Sequence, residues 1–285
     1  MVTAIVLCMS QTITLAHSPD SDDAFMFYAL AKGLVDTHGL TFRHELHDIE
    51  TLNQQAEKET FDITAVSFHG YAYVSDRYQL MTAGASVGDG YGPVVVAKRP
   101  LATQDLSEVV VGIPGEHTTA TLALNLLCPG IRTKVLPFDE IPDEVLKGNV
   151  DAGLLIHEGQ VTFHKDNLCR IVDLGEWWKG DTGLPLPLGA NAIRKSLDTK
   201  TTGICCDVLK ATIQYALDHR EDALDYALAF GRGLNRSDAD KFVGMYVNGF
   251  TLELGERGEQ AADLLLRLGH EKGLIPTRIT PQFVG

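Results

Sequence analysis

Three short stretches of the chain carry the residue types that do chemistry. SPDSDD, residues 18–23, places three carboxylates, Asp20, Asp22 and Asp23, in one turn. A calcium loop counted from Asp20 needs a glycine at its sixth position and a glutamate at its twelfth, but Phe25 and Ala31 stand there, so the metal reading fails. The Ser and Asp side chains are expected instead to cap the first turn of a helix. The turn also follows a strand, where open α/β folds place ligands, which makes Ser18 a pocket candidate. The second stretch is PGEHTTA, residues 114–120. Thr118 and Thr119 stand at a helix start, after a glycine-bearing turn and a strand. Free backbone N–H groups and two hydroxyls there suit a carboxylate or phosphate. One threonine acting only as a helix cap explains the same pattern. Ser67 occupies the matching strand-to-helix position in the first half. The third stretch, AGLLIHE, ends a buried-looking strand on His157. An imidazole with an ordinary pKa near 6.5 suits proton transfer in a cleft. A structural histidine bonded to backbone fits the residue as well, and both readings stay open. Trp177 and Trp178 are expected to pack a core edge.

These residues need positioning, and the hydrophobic pattern supplies the elements. Strands are expected over residues 12–17, 40–46, 62–66, 109–113, 133–137, 152–156 and 188–193, with a β-branched run at 93–97. Helical patterns fall between them at 24–32, 50–59 (capped by Asp48), 68–74, 118–127 and 142–147. Alternation of this kind indicates α/β units around largely parallel sheets. Beyond Ser196 the chain turns helical, over about 204–218, 221–230, 237–247 with Ser237 as cap, and 256–271. A helical tail without its own sheet must return to an earlier one. The expected division is therefore a first lobe of residues 1–97 and 191–285 and a second of 98–190, with two crossings and a ligand cleft between them.

Composition excludes several functions. The 285 residues carry a formal charge of −14, which repels phosphate backbones and anionic lipid, so neither nucleic acid nor a membrane is an expected partner. A small anion stays compatible, because a few local donors can oppose the global field. The five cysteines include an adjacent pair and no C-x-x-C, so a reduced, cytoplasmic setting without a disulfide framework is expected. MVTAIVLCMSQ lacks a basic residue before its short apolar run and reads as a frayed extension rather than a secretion signal. HELH at 44–47 has histidines three apart inside an expected strand, not the helical spacing of a zinc site. Gly88, Gly90 and Gly92 do not make a dinucleotide-binding turn.

SPDSDDAFMFYAL, DIETLN, GYGPVVVA, PGEHTTA, AGLLIHE, IVDLGEWW, TGLPLPLGA and YVNGFTLELGERG together resemble the 1,4-dihydroxy-6-naphthoate synthase family of the futalosine route to menaquinone. The resemblance runs nearly end to end, and HTTA, LLIHE and GLPLPLG are specific in combination. It implies a fold similar to type 2 periplasmic binding proteins: two α/β lobes around a cleft. It further implies a lyase with no metal or organic cofactor, acting on a small aromatic carboxylate, cyclic dehypoxanthinyl futalosine. His157 would then be the proton acceptor, with substrate contacts at Ala65, Val66, Ser67, Thr118 and Thr119. Two stretches depart from the common family pattern: SPDSDD stands where SPCPND is usual, and Ala65 where a lysine is usual. The competing readings are a non-enzymatic binding protein for small anions and a chorismate dehydratase-like enzyme of the same architecture.

Overall fold

A computed structural model of the protein describes residues 11–285; the N-terminal stretch read as a frayed extension, Cys8 included, lies outside them except for its last residue, Gln11. Twelve strands form two sheets among the described residues. The first sheet contains β1 (Thr12–His17), β2 (Thr41–Leu46), β3 (Ile63–Ser67), β4 (Tyr78–Met81) and β5 (Ser86–Gly88). The second contains β6 (Val94–Ala97), β7 (Val110–Ile113), β8 (Arg132–Val135), β9 (Ala152–Leu155) and β10 (Cys169–Asp173). The chain then returns to the first sheet with β11 (Leu186–Arg194) and closes it with β12 (Phe283–Val284). The orders are β12-β4-β11-β3-β1-β2, with β5 also on β11, and β10-β6-β9-β7-β8.

The strand connections that run through helices are parallel: β1 with β2 and β3, and β7 with β8 and β9. The two strands that arrive directly from a crossing run the other way. β11 is antiparallel to β3, β4 and β5, and β6 to β9 and β10. Both crossings come a few residues earlier than the sequence suggests. Residues 94–97, expected to finish the first lobe, are fully buried between β9 and β10 in the second sheet. A continuous apolar run is what a strand covered on both faces requires. Residues 186–190, expected in the second lobe, begin β11 of the first sheet. At the first crossing the backbone of Tyr91 and Gly92 lies directly against Gly175. A Cβ on Gly175 would collide with the Tyr91 carbonyl oxygen, so glycine is required there.

The tail returns as expected, with additions. Helices Thr199–Asp218, Arg220–Leu228 and Arg236–Tyr246 place Val208, Ile213, Leu224 and Val243 in one core with Ile13, Leu15 and Phe25. The third of these starts before Ser237: Asn235 is its cap, accepting from the Asp238 amide at 3.0 Å. Phe242 and Tyr246 on that helix also pack on Val161 of the second half of the chain, tying the tail to both sheets. β12 escapes a pattern reading because two residues cannot display an alternation. It borrows its pairing from β4, with Phe283 beside Leu80. Trp178 is buried and donates its indole N–H to the Pro185 carbonyl at 3.0 Å, the expected packing role. Cys128, Cys169, Cys205 and Cys206 are free thiols. No helix among the described residues is long and apolar enough to cross a membrane.

Candidate active site

A cleft enclosing about 730 Å³, part of it open to solvent, lies between the two sheets and takes its walls from both. Each residue expected to bind substrate or take the proton lines it: Ser18 after β1, Ala65, Val66 and Ser67 on β3, Thr118 and Thr119 at a helix start, and His157 after β9; Asp22 and Asp23 line it too, and Asp20 does not. Parallel strands explain the gathering. β1, β3, β7 and β9 all end at the cleft, so the turns leaving them meet there.

His157 is the chemical centre of the wall. Its backbone adopts a left-handed conformation, φ 53°, costly for a side chain with a Cβ and common at functional turns. The ring is held from two sides. Nδ1 lies 2.9 Å from the Asp20 carboxylate, and Phe138 meets the ring edge-on at a centroid distance of 4.9 Å. Nε2 is buried with no hydrogen-bond partner among the described residues. Asp20, 1% exposed, also receives Arg232 at 2.5 Å. Arg232 reaches Glu158 at 3.3 Å and lies over the Phe138 ring at 4.6 Å. Glu158 in turn accepts from the Ser21 amide and hydroxyl at 3.2 and 3.0 Å. The network therefore joins the first turn after β1, the turn after β9, and the loop before the helix Arg236–Tyr246.

The charges settle accordingly. Burial alone would push the His157 pKa down, but the Asp20 carboxylate overrides it and raises the value to about 9. The site thus moves His157 above the 6.5 expected from the residue type. Burial also opposes charge on Asp20, yet His157 and then Arg232 hold its pKa well below the carboxylate range. Its neighbours move the opposite way. Burial raises Asp23 to about 6, although the Ser18 amide donates to it at 2.7 Å. Burial, with Asp23 and Asp20 nearby, raises Asp22 well above the normal range.

The capping role expected of SPDSDD is not what the turn does. Asp20 has the backbone angles of an N-cap, but its side chain caps nothing and is drawn to His157 and Arg232. An ion pair with two cations outweighs one hydrogen bond to a neutral amide. Thr118, by contrast, is a cap: its hydroxyl oxygen accepts from the Thr121 amide at 3.2 Å. The Thr119 hydroxyl accepts from the His69 amide at 3.2 Å, joining the two halves of the chain. At Ser67 the expected free amide is taken, because Ser67 N–H donates to the Asn53 side chain at 2.9 Å while Asn53 donates back to the hydroxyl at 3.2 Å. Asn53, Gln160, Arg232, Phe242 and Tyr246 went unnoticed in the sequence. DIETLN at least contains Asn53; Arg232, 212 positions from Asp20, leaves no local signal.

A two-lobed fold of the periplasmic-binding-protein type, with a buried Asp–His pair facing the interlobe cleft, defines the class of protein. The chain belongs to the menaquinone biosynthesis family, whose model matches residues 13–271. It is 39% identical over 274 residues to a 1,4-dihydroxy-6-naphthoate synthase of Thermus thermophilus, covering 96% of this chain and 100% of that one. A synthase of the same name from Streptomyces coelicolor is 36% identical over 276 residues, covering 94% and 96%. A crystal structure from Archaeoglobus fulgidus superposes with a TM-score of 0.90 at 44% identity, covering 94% of this chain and 100% of that one. The alkanesulfonate-binding protein of Xanthomonas axonopodis, bound to MOPS, shares the fold at 11% identity, with a TM-score of 0.73 and coverage of 94% and 96%. The family drawn from sequence resemblance is thus the right one.

Proposed function

We propose that the protein is a cytoplasmic, cofactor-independent carbon–carbon lyase. It converts cyclic dehypoxanthinyl futalosine to 1,4-dihydroxy-6-naphthoate and a three-carbon fragment. The single observation that carries this reading is the His157 ring, its Nδ1 fixed by buried Asp20 and its Nε2 unpartnered in the cleft wall. In the neutral ring, Nδ1–H donates to Asp20 and leaves the Nε2 lone pair for substrate. Nε2 takes the proton whose removal lets the carbon–carbon bond break, the electron pair of that bond passes into the ring system, which becomes aromatic, and the three-carbon fragment leaves. Asp20 stabilises the imidazolium that results. Ser18, Ala65, Val66 and Ser67 form the substrate wall on one side and Thr118 and Thr119 on the other. Of the two threonines, Thr119 keeps its hydroxyl proton for the substrate carboxylate, whereas Thr118 shapes the helix start. The lobes that close on the substrate divide at the crossings near residues 89–93 and 183–185.

The test is His157→Asn, with naphthoate formation followed by absorbance. Loss of a positioned base lowers turnover about 10²–10⁴-fold, with a much smaller effect on substrate affinity. The wild-type rate rises with pH toward a limb near 9, where the Asp20-paired ring loses its proton. Wild-type turnover in the variant would place the base elsewhere. A binding protein on this fold would hold the ligand and turn nothing over, and a chorismate dehydratase would consume chorismate instead.

A further inference from the structure

The cleft wall contains a carboxyl group that the proton-abstraction scheme leaves unused. Asp22 is 8% exposed, lines the cleft, and has an Oδ1 with no hydrogen-bond partner among the described residues. Most of the nearby donors are engaged elsewhere, and none makes a hydrogen bond to Asp22 Oδ1. The Ser18 amide goes to Asp23, and the Ser21 amide and hydroxyl go to Glu158. His157 Nδ1 faces Asp20, and Arg232 is shared by Asp20 and Glu158. The groups around Asp22 are Asp20 and Asp23 on its own helix, His157 and Glu158 after β9, Arg232 in the tail loop, and Tyr246 on the tail helix. Two cations thus serve several carboxylates, and neither reaches Asp22.

A buried carboxylate with no donor is far more costly than a carboxylic acid, and a carboxylic acid is a donor. We propose that Asp22 meets the ligand as the neutral acid and donates a hydrogen bond to an anionic oxygen of the bound aromatic carboxylate. This rests on the reading of the cleft given above and assigns Asp22 to substrate selection. Without that proton the ligand would face an unscreened negative wall; with it, Asp22 adds an attractive contact that a cationic or purely apolar ligand cannot use. The upward displacement of the Asp22 pKa, caused first by burial and then by Asp23 and Asp20, agrees with the donor count.

The probe is 2-naphthoate, titrated calorimetrically into wild type, Asp22→Asn and Asp22→Ala between pH 5 and 9, with thermal midpoints recorded for each. Asparagine keeps a donor and cannot ionise. It should bind within about threefold of wild type at pH 5, while alanine, losing a hydrogen bond to a charged group, should bind about 10-fold more weakly or worse. Wild-type affinity that falls at high pH relative to Asp22→Asn supports the acid form directly, and coincidence of the two throughout supports a proton retained across the range. Alanine binding as well as wild type, or asparagine as poorly as alanine, overturns the proposal while leaving the cleft reading intact. A wild type that binds neither 2-naphthoate nor 1,4-dihydroxy-6-naphthoate overturns both. A merely structural Asp22 would move the midpoints and leave the affinities together.

Discussion

Replacing Asp20 with asparagine tests the catalytic geometry most sharply, because the side chain has two obligations and asparagine can meet only one. Asp20 accepts from Arg232 through Oδ1 and faces His157 Nδ1 through Oδ2. Asparagine has a single acceptor oxygen. The fixed charge of Arg232 claims it, which turns the amide N–H₂ toward His157. Nδ1 must then accept, the neutral ring carries its proton on Nε2, and no lone pair faces the cleft. The same tautomer error costs a serine hydrolase triad about 10⁴ in kcat, so a fall of roughly 10²–10⁴ is expected here at every pH. A second effect accompanies it. With the carboxylate gone, His157 loses the strongest influence that raises its pKa, Glu158 is left to oppose burial, and the pKa falls below about 9. The assay is kcat against pH from 6 to 10, together with nitrogen NMR of the imidazole to read the tautomer. An Asp20→Asn enzyme with wild-type turnover and a limb still near 9 would refute the reasoning.

Three further outcomes follow from the same geometry, alongside those for His157→Asn and Asp22. Thr119→Ala should weaken aromatic carboxylate binding more than Thr118→Ala, since the Thr118 hydroxyl already serves its helix; calorimetry on both variants decides. Thr118→Ala should instead lower the unfolding free energy by about 1 kcal/mol, the usual worth of a cap, seen in urea titrations. Stability should also depend on His157 ionisation. Its folded pKa of about 9 exceeds the unfolded 6.5, so the contribution, about 3 kcal/mol, is fully present below pH 6.5 and lost as pH rises through 9. Wild type minus His157→Asn, measured by denaturant unfolding at pH 6 and pH 10, should shrink across that window.

Much of this molecule could be read from its residues. The parallel units, the cap at Asp48 and the return of the tail all follow from local pattern, and Asp48 does accept from the Thr51 amide at 3.0 Å. The crossings were misplaced by a few residues because a run such as Val94–Ala97 states that a strand is buried, not which sheet buries it. In the site, the placement of His157 at the cleft was legible and its ionisation was not. That depends on Asp20, 137 positions away, and a sequence records charge without distance. SPDSDD misled for the same reason: the short-range competitor, helix capping, is visible locally, and the partner that wins, Arg232, is not.

The Asp20–His157 contact joins residues carried by different sheets, and this gives the cleft a property that neither half has alone. Any opening that parts the sheets also parts the two charges. Arg232, shared by Asp20 and Glu158, would have to choose between them, and His157, left with Glu158 alone, would hold its proton less tightly. Shape and proton count would therefore change together, with the proton affinity of His157 highest in the arrangement that brings Asp20 to it. The ring thus holds its proton hardest where it is best held in place: Asp20 both fixes Nδ1 against the cleft wall and sets the high pH at which the Nε2 lone pair becomes free.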